Sequence, residues 1–183
     1  QRVVFLGDSI TEGWASQPFI RDNPHFVGRG ISGQTAPQML VRFQSDVVAL
    51  KPAVVHILAG TNDIAQNTGP ESSDEMLGYV VSIAQLARAN HIKVIIGSVA
   101  PAADFPWHRG LDPAPKIKAF NARLKAYAVS HGFIYADYWS VLVAADGGMK
   151  PQYSEDGVHP NVAGYDVMES VAKDAIALAL RKR

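Results

Sequence analysis

The chain has 183 residues, 48% hydrophobic and 19% charged, a balance that excludes a disordered tail, a collagenous repeat and a coiled coil. Lys plus Arg (17) equals Asp plus Glu (17), so no overall field draws the protein onto nucleic acid or an anionic membrane, and the lack of cysteine excludes disulfides, thiolate metal sites and a cysteine nucleophile. A single domain over residues 1–183 is expected from domain sizes of about 100–200 residues, and no apolar run approaches the roughly 18–20 residues that cross a bilayer.

Gln1 leads almost directly into the apolar run Val3–Leu6, with neither an initiator Met nor a basic-then-apolar leader, the pattern expected of a processed chain. Val3–Leu6, Val54–Leu58, Val94–Val99 and Phe133–Ala136 read as strands buried on both faces, and Phe26–Gly30 as a weaker one. Between them lie helical patterns. Ala36, Met39, Leu40, Phe43, Val47 and Leu50 fall on one stripe, and Met76, Leu77, Val80, Ile83, Ala84 and Ala87 on another. A third helix is predicted from Pro115 to His131, and a fourth from Val162 to a basic end at Arg181, Lys182 and Arg183, where positive charge suits a helix C-terminus. Pro101–Pro115 is predicted to be a long loop carrying Phe105, Trp107 and His108.

Strand–helix alternation predicts an α/β fold of three layers, because parallel strands need long right-handed crossovers that lay helices over both faces of the sheet. In such sheets ligands gather beyond the carboxyl ends of the strands, so the loops that follow strands are where chemistry is sought.

The loop after the first strand reads Gly7-Asp8-Ser9-Ile10. A serine at this turn is a candidate nucleophile, although serines at strand ends also cap helices, and a free hydroxyl needs a base to become reactive. Of six histidines, His56 lies inside an apolar strand and reads as a core residue, while His25, His91 and His131 have no carboxylate placed to orient them. His159 differs: Asp156-Gly157-Val158-His159-Pro160 sets a carboxylate three residues before an imidazole, across a turn that Gly157 permits. The alternative is that Asp156 or Asn161 only caps the last helix. Acyl transfer also needs donors for the developing oxyanion. Gly33, with no side chain to block its N–H, and Asn62 in Gly60-Thr61-Asn62-Asp63 offer them, though each residue type is also common in plain turns.

Together, Gly7-Asp8-Ser9-Ile10, Gly30-Ile31-Ser32-Gly33, Gly60-Thr61-Asn62-Asp63 and Asp156-Gly157-Val158-His159-Pro160 resemble the four motifs of the SGNH hydrolases, also called the GDSL esterase and lipase family. The motifs span nearly the whole chain. The resemblance implies a flavodoxin-like three-layer sandwich on a five-stranded parallel sheet and a serine esterase mechanism. It implies Ser9 as nucleophile, His159 as base and then acid, and Asp156 as its orienter. It also implies an oxyanion hole made of the Ser9 N–H, the Gly33 N–H and the Asn62 side chain. The absence of a Gly-x-Ser-x-Gly elbow speaks against the α/β-hydrolase fold. Gly28–Thr35, with Ala100-Pro101 and Phe105-Pro106-Trp107, is similar to the compact bacterial branch near platelet-activating-factor acetylhydrolase subunits, many of whose members are carbohydrate acetylesterases.

With no inserted apolar segment to build a lid, short acyl groups, acetyl above all, are the expected leaving acids, carried on a hydroxylated substrate such as a glycan. Asp8, Arg29, Trp107 and His108 are the candidate substrate contacts, with Trp14, Phe105 and Tyr153 as further stacking surfaces and Arg109 as a hydroxyl donor; Trp107 and Phe105 could equally pin their loop to the body. No phosphate-binding glycine loop is present and Asp-x-x-His is a poor metal spacing, so neither cofactor nor metal is expected. Competing readings are a lysophospholipase or thioesterase, separated by a rate that rises with acyl length, and an inactive glycan-binding module, separated by binding without turnover. A polymeric substrate would fit an extracellular or periplasmic location. The motifs say nothing of the oligomeric state.

Overall fold

The computed structural model describes residues 1–181; the expected basic helix end at Lys182 and Arg183 lies outside them. Five strands, β1 (Val3–Gly7), β2 (Phe26–Gly30), β3 (Val54–Leu58), β4 (Lys93–Gly97) and β5 (Ile134–Ala136), form one parallel sheet in the order β2-β1-β3-β4-β5. In register, Gly7 lies beside Gly30 on one side and Leu58 on the other, so the loops that leave β1, β2 and β3 emerge at one edge.

The inner strands are apolar apart from His56 in β3 and Lys93 at the start of β4, because both faces are covered. On one face Val4, Leu6, Val55, Ile57, Val94 and Ile96 pack beneath α3 (Ala36–Asp46), α5 (Ser73–Ala89) and α6 (Pro113–Ser130). On the other, Val3, Phe5, Val54, Leu58 and Ile95 pack beneath α1 (Ser9–Ala15) and α8 (Val162–Arg181). The remaining helices, α2 (Pro18–Arg21), α4 (Thr61–Ile64) and α7 (Tyr138–Leu142), are single turns or little more. No described helix is long and apolar enough to cross a membrane.

Local chemistry sets the helix starts. Ser72 and Glu75 form a reciprocal capping box on α5, and the Gln38 side chain accepts from the Thr35 N–H at the start of α3. The sequence stripes correspond to α3, α5, α6 and α8, but α1, α2, α4 and α7 carry too few turns for a 3.6-residue period to stand out. The chain leaves β1 for β2 on one side and returns across it to β3 on the other. This reversal opens a crevice at the carboxyl ends of β1 and β3, and Ser9 and Asn62 lie in the short segments that follow those ends, in the first turns of α1 and α4.

Candidate active site

Ser9 opens α1, but it is not the cap. That place is taken by Asp8, whose Oδ1 accepts from the Ile10 N–H at 3.0 Å, leaving the Ser9 hydroxyl free to turn outward. Its Oγ lies 2.9 Å from His159 Nε2, across 150 residues of chain. His159 Nδ1 lies 2.6 Å from Asp156 Oδ2. An ionised carboxylate only accepts, so Nδ1 carries the ring proton and Nε2 is left as the acceptor for the serine hydroxyl.

The turn that holds the pair is self-bonded. Asp156 Oδ1 accepts from the N–H groups of Val158 (2.9 Å) and His159 (2.8 Å), and Gly157 bends the chain between them at φ +81°, a conformation that side chains oppose. Ser154 Oγ accepts from the Gly157 N–H, and its own proton lies between His159 O at 2.7 Å and Asp156 Oδ1 at 3.1 Å. Partial burial tends to raise the Asp156 pKa. The hydrogen bonds from the His159 ring, then from the His159 and Val158 N–H groups, outweigh it and hold the carboxyl at about 2. The cap of α8 is Asn161, whose Oδ1 accepts from the Gly164 N–H, so Asp156 is left to the imidazole.

Asn62 is 3% exposed on α4. Its Nδ2 donates to Gln34 O at 3.0 Å and its Oδ1 accepts from Asn67 Nδ2 at 2.9 Å, which leaves one amide proton free. Gly33 sits exposed at φ +77° in the adjoining loop. That loop is tied down by the Ser32 N–H donating to Glu12 Oε2 at 2.8 Å and by Arg42, whose Nε donates to Gln34 Oε1. The Arg42 guanidinium also donates to Gly7 O and Arg29 O, both at 2.9 Å, and pairs with Asp46 at 2.8 Å. It thereby links the ends of β1 and β2.

Several residues expected at the substrate lie elsewhere. Asp8 is 1% exposed: its carboxylate is committed to capping α1, and burial pushes its pKa up to about 6 against the opposing Ile10 N–H bond and the nearby His159. Trp14 is not in a loop at all. It is fully buried on α1, edge-on to Phe5 and Tyr138 and stacked with Tyr165. Phe105 is fully buried too and anchors its loop to the core. His108 Nδ1 donates to Ala65 O at 2.8 Å, tethering the same loop to the end of α4. Arg29 is occupied locally, its guanidinium on Gly28 O, and Arg109 faces Asp104 at 3.6 Å. Tyr153 packs on the core beneath α8 with Lys150 over its ring. Trp107 alone among the aromatic candidates stays at the site, its ring centroid 6.1 Å from that of His159. His56, read as a core residue, is fully buried with Nε2 2.7 Å from the Tyr138 hydroxyl, and burial depresses its pKa to about 3.

Ser154, Asn67 and Arg42 escaped the sequence reading. Each acts on loop atoms, main-chain or side-chain, whose positions only the folded loops define, and none stands in a distinctive local pattern.

An α/β sandwich that aligns serine, imidazole and carboxylate at the switch point of its sheet defines an acyl-hydrolysing enzyme of the serine type. The chain belongs to the GDSL-like lipase/acylhydrolase family, whose model matches residues 5–167. It is similar to a GDSL-like lipase of Bacteroides thetaiotaomicron, with 49% identity, a TM-score of 0.93 and coverage of 97% of this chain and 88% of that one. The esterase TesA of Pseudomonas aeruginosa is 27% identical over 177 residues, covering 89% of this chain and 81% of its own. Axe2, an acetylxylan esterase of Geobacillus stearothermophilus, shares the fold at 18% identity with a TM-score of 0.77, over 96% of this chain and 94% of its own.

Proposed function

We propose that this esterase removes short acyl groups, acetyl above all, from a hydroxylated carbohydrate, with Ser9 as nucleophile. The observation that carries the reading is the in-line hydrogen bonding of Ser9 Oγ, His159 and Asp156 at 2.9 and 2.6 Å. Ser9 Oγ attacks the ester carbonyl carbon while its proton passes to His159 Nε2. The resulting imidazolium is stabilised by the ionised Asp156, and the oxyanion by the Ser9 N–H, the Gly33 N–H and the free Asn62 amide proton. The C–O bond to the alcohol then breaks as His159 returns the proton to the leaving oxygen. Water repeats both half-steps on the acyl-serine and releases the acid.

The short-acyl part of the reading is supported by the tethered 101–112 loop. Phe105 is buried, His108 is bonded to Ala65 O and Trp107 Nε1 is bonded to Asn67 Oδ1, so this segment is a tethered wall with the Trp107 ring beside His159. The carbohydrate part is supported by the clefts on either side of the Asp156–His159 turn, which present Gln17 and Glu155 on one side and Asp146 on the other. Those groups suit hydroxyls better than an acyl chain. The shared fold with an acetylxylan esterase agrees with this choice.

The test is a series of p-nitrophenyl esters from acetate to long-chain acyl groups, run beside Ser9→Ala, followed by release of acetate from acetylated xylo-oligosaccharides. A steep preference for acetate that vanishes in Ser9→Ala is expected. A maximum at long chains would replace the reading with a lysophospholipase or thioesterase, and binding of the oligosaccharide without turnover would replace it with a binding module.

A further inference from the structure

We propose that Asn67 is the positioning residue of the oxyanion site and that the Trp107 indole decides which way round its amide is held. The proposal rests on the reading of Asn62 and Gly33 as oxyanion donors.

Asn67 uses both ends of its side-chain amide. Its Oδ1 accepts from Trp107 Nε1 at 3.0 Å, and its Nδ2 donates to Asn62 Oδ1 at 2.9 Å and to Gly33 O at 3.2 Å. An indole N–H can only donate, so the atom facing Trp107 must be oxygen and the amino group must face the oxyanion loops. That amino group in turn requires an acceptor from Asn62, which turns Asn62 Nδ2 toward Gln34 O and the open site. A reversed Asn62 amide would set oxygen against Gln34 O and nitrogen against Asn67 Nδ2, two repulsive contacts in place of two bonds. The orientation of the proposed oxyanion donor is thus fixed from a tryptophan two side chains away.

The main chain is built to the same end. Gln66 adopts the left-handed conformation at φ +59°, unusual for a residue with a side chain, and the Asn67 N–H then donates back to Asn62 O at 3.0 Å. Asn67 therefore holds Asn62 by main chain and side chain, and holds the neighbouring Gly33 by its carbonyl.

Asn67→Asp separates this role from a merely structural one. It keeps the shape and the acceptor for Trp107 but replaces both donors with an anionic oxygen, which draws the Asn62 amino group away from the substrate. Asn67→Ala only removes the support. On p-nitrophenyl acetate, kcat is expected to fall about tenfold in Asn67→Ala and about a hundredfold in Asn67→Asp, with KM within about twofold, given the size of single oxyanion-donor effects. Thermal melting accompanies each variant, and the rate of Ser9 phosphonylation by a p-nitrophenyl phosphonate, whose tetrahedral adduct carries an oxyanion, is expected to fall in the same order. Trp107→Phe keeps the ring and loses the N–H; combined with Asn67→Ala it should cost no more than Asn67→Ala alone.

An Asn67→Asp kcat equal to or above that of Asn67→Ala would overturn the proposal, as would losses confined to KM or additive losses in the double variant. Ser9→Ala keeps the two readings apart. If it retains activity, the underlying site assignment fails; if it is inert while the Asn67 variants keep wild-type kcat, only the role of Asn67 fails.

Discussion

Asp63 reaches from the turn that carries Asn62 to the first residue of α3, where its Oδ1 accepts from the Ala36 N–H at 2.9 Å. The bond joins the loops of the two proposed oxyanion donors through a side chain that is 2% exposed. It comes with an electrostatic cost, because Oδ2 meets no donor among the described residues. Burial drives the Asp63 pKa up to about 7, the Ala36 N–H bond opposing it and Glu71 adding to it.

The sign of the resulting pH dependence follows from linkage. A carboxyl whose folded pKa lies above its unfolded value binds its proton more tightly when folded, so its contribution is fully present below about pH 4 and is lost as the pH rises through about 7. Asp8, raised to about 6, acts in the same direction. Asp63→Asn, which keeps an oxygen for Ala36, is expected to flatten the fall in stability between about pH 4 and 7. Urea unfolding at a series of pH values checks this, and a fall of unchanged steepness would refute it.

Replacing Asp156 by Asn leaves an oxygen for the Val158 and His159 N–H groups but takes the anionic partner from the imidazole. We expect kcat to drop by about a hundredfold or more while the melting temperature moves by only a few degrees, following the behaviour of triads whose acid is neutralised. Single-turnover kinetics with p-nitrophenyl acetate give the measurement. A kcat within a few-fold of wild type would show that the turn alone orients His159.

Arg42 carries a side chain 11% exposed, paired with Asp46 and bonded to Gly7 O and Arg29 O. Arg42→Ala takes one of two partners from Gly7 O, which keeps the Ile31 N–H, and removes the guanidinium from Arg29 O and the Asp46 carboxylate; a loss of about 2 kcal/mol is expected from denaturant titration. Lysine, lacking the planar fork, should recover less than half of it. Full recovery by Arg42→Lys would mean that charge rather than geometry matters there.

Tyr165 donates from its hydroxyl to Ile10 O at 2.9 Å, a buried bond from α8 to the turn of α1 behind Ser9. Tyr165→Phe removes that bond and leaves Ile10 O with only its helical partner within α1. A stability loss of about 1–2 kcal/mol is expected, with kcat reduced by a few-fold as α1 loosens. Parallel urea melts and esterase assays test the pair of effects, and a loss of neither would place the tether outside the site's support.

The main framework was legible from the chain because it rests on long periodic segments. β-branched runs such as Val54–Leu58 and stripes such as that of Met76 to Ala87 declare strand and helix without tertiary context. The candidate site was legible for another reason: its residues recur in four short motifs in a fixed order. What could not be read is direction. Asp8 and Trp14 stand close to Ser9 in sequence, yet both are buried, one capping α1 and the other on its inner face, while Asn67, which lies in no motif, meets two of the motif loops. Phe105 and Trp107 are two residues apart in one loop and differ in the same way, the first buried and the second 45% exposed.

The hydrogen bond between Ser9 and His159 spans 150 residues of chain, one partner at the start of the first helix and the other just ahead of the last. Every intervening strand and crossover must be laid down before the two meet. On the proposed assignment, hydrolytic competence is a property of the finished sheet and of none of its parts: a chain still emerging from synthesis, or one whose final helix has come loose, holds the proposed nucleophile without its proposed base. Ester turnover can serve as an optical readout of how much of a population has completed the fold.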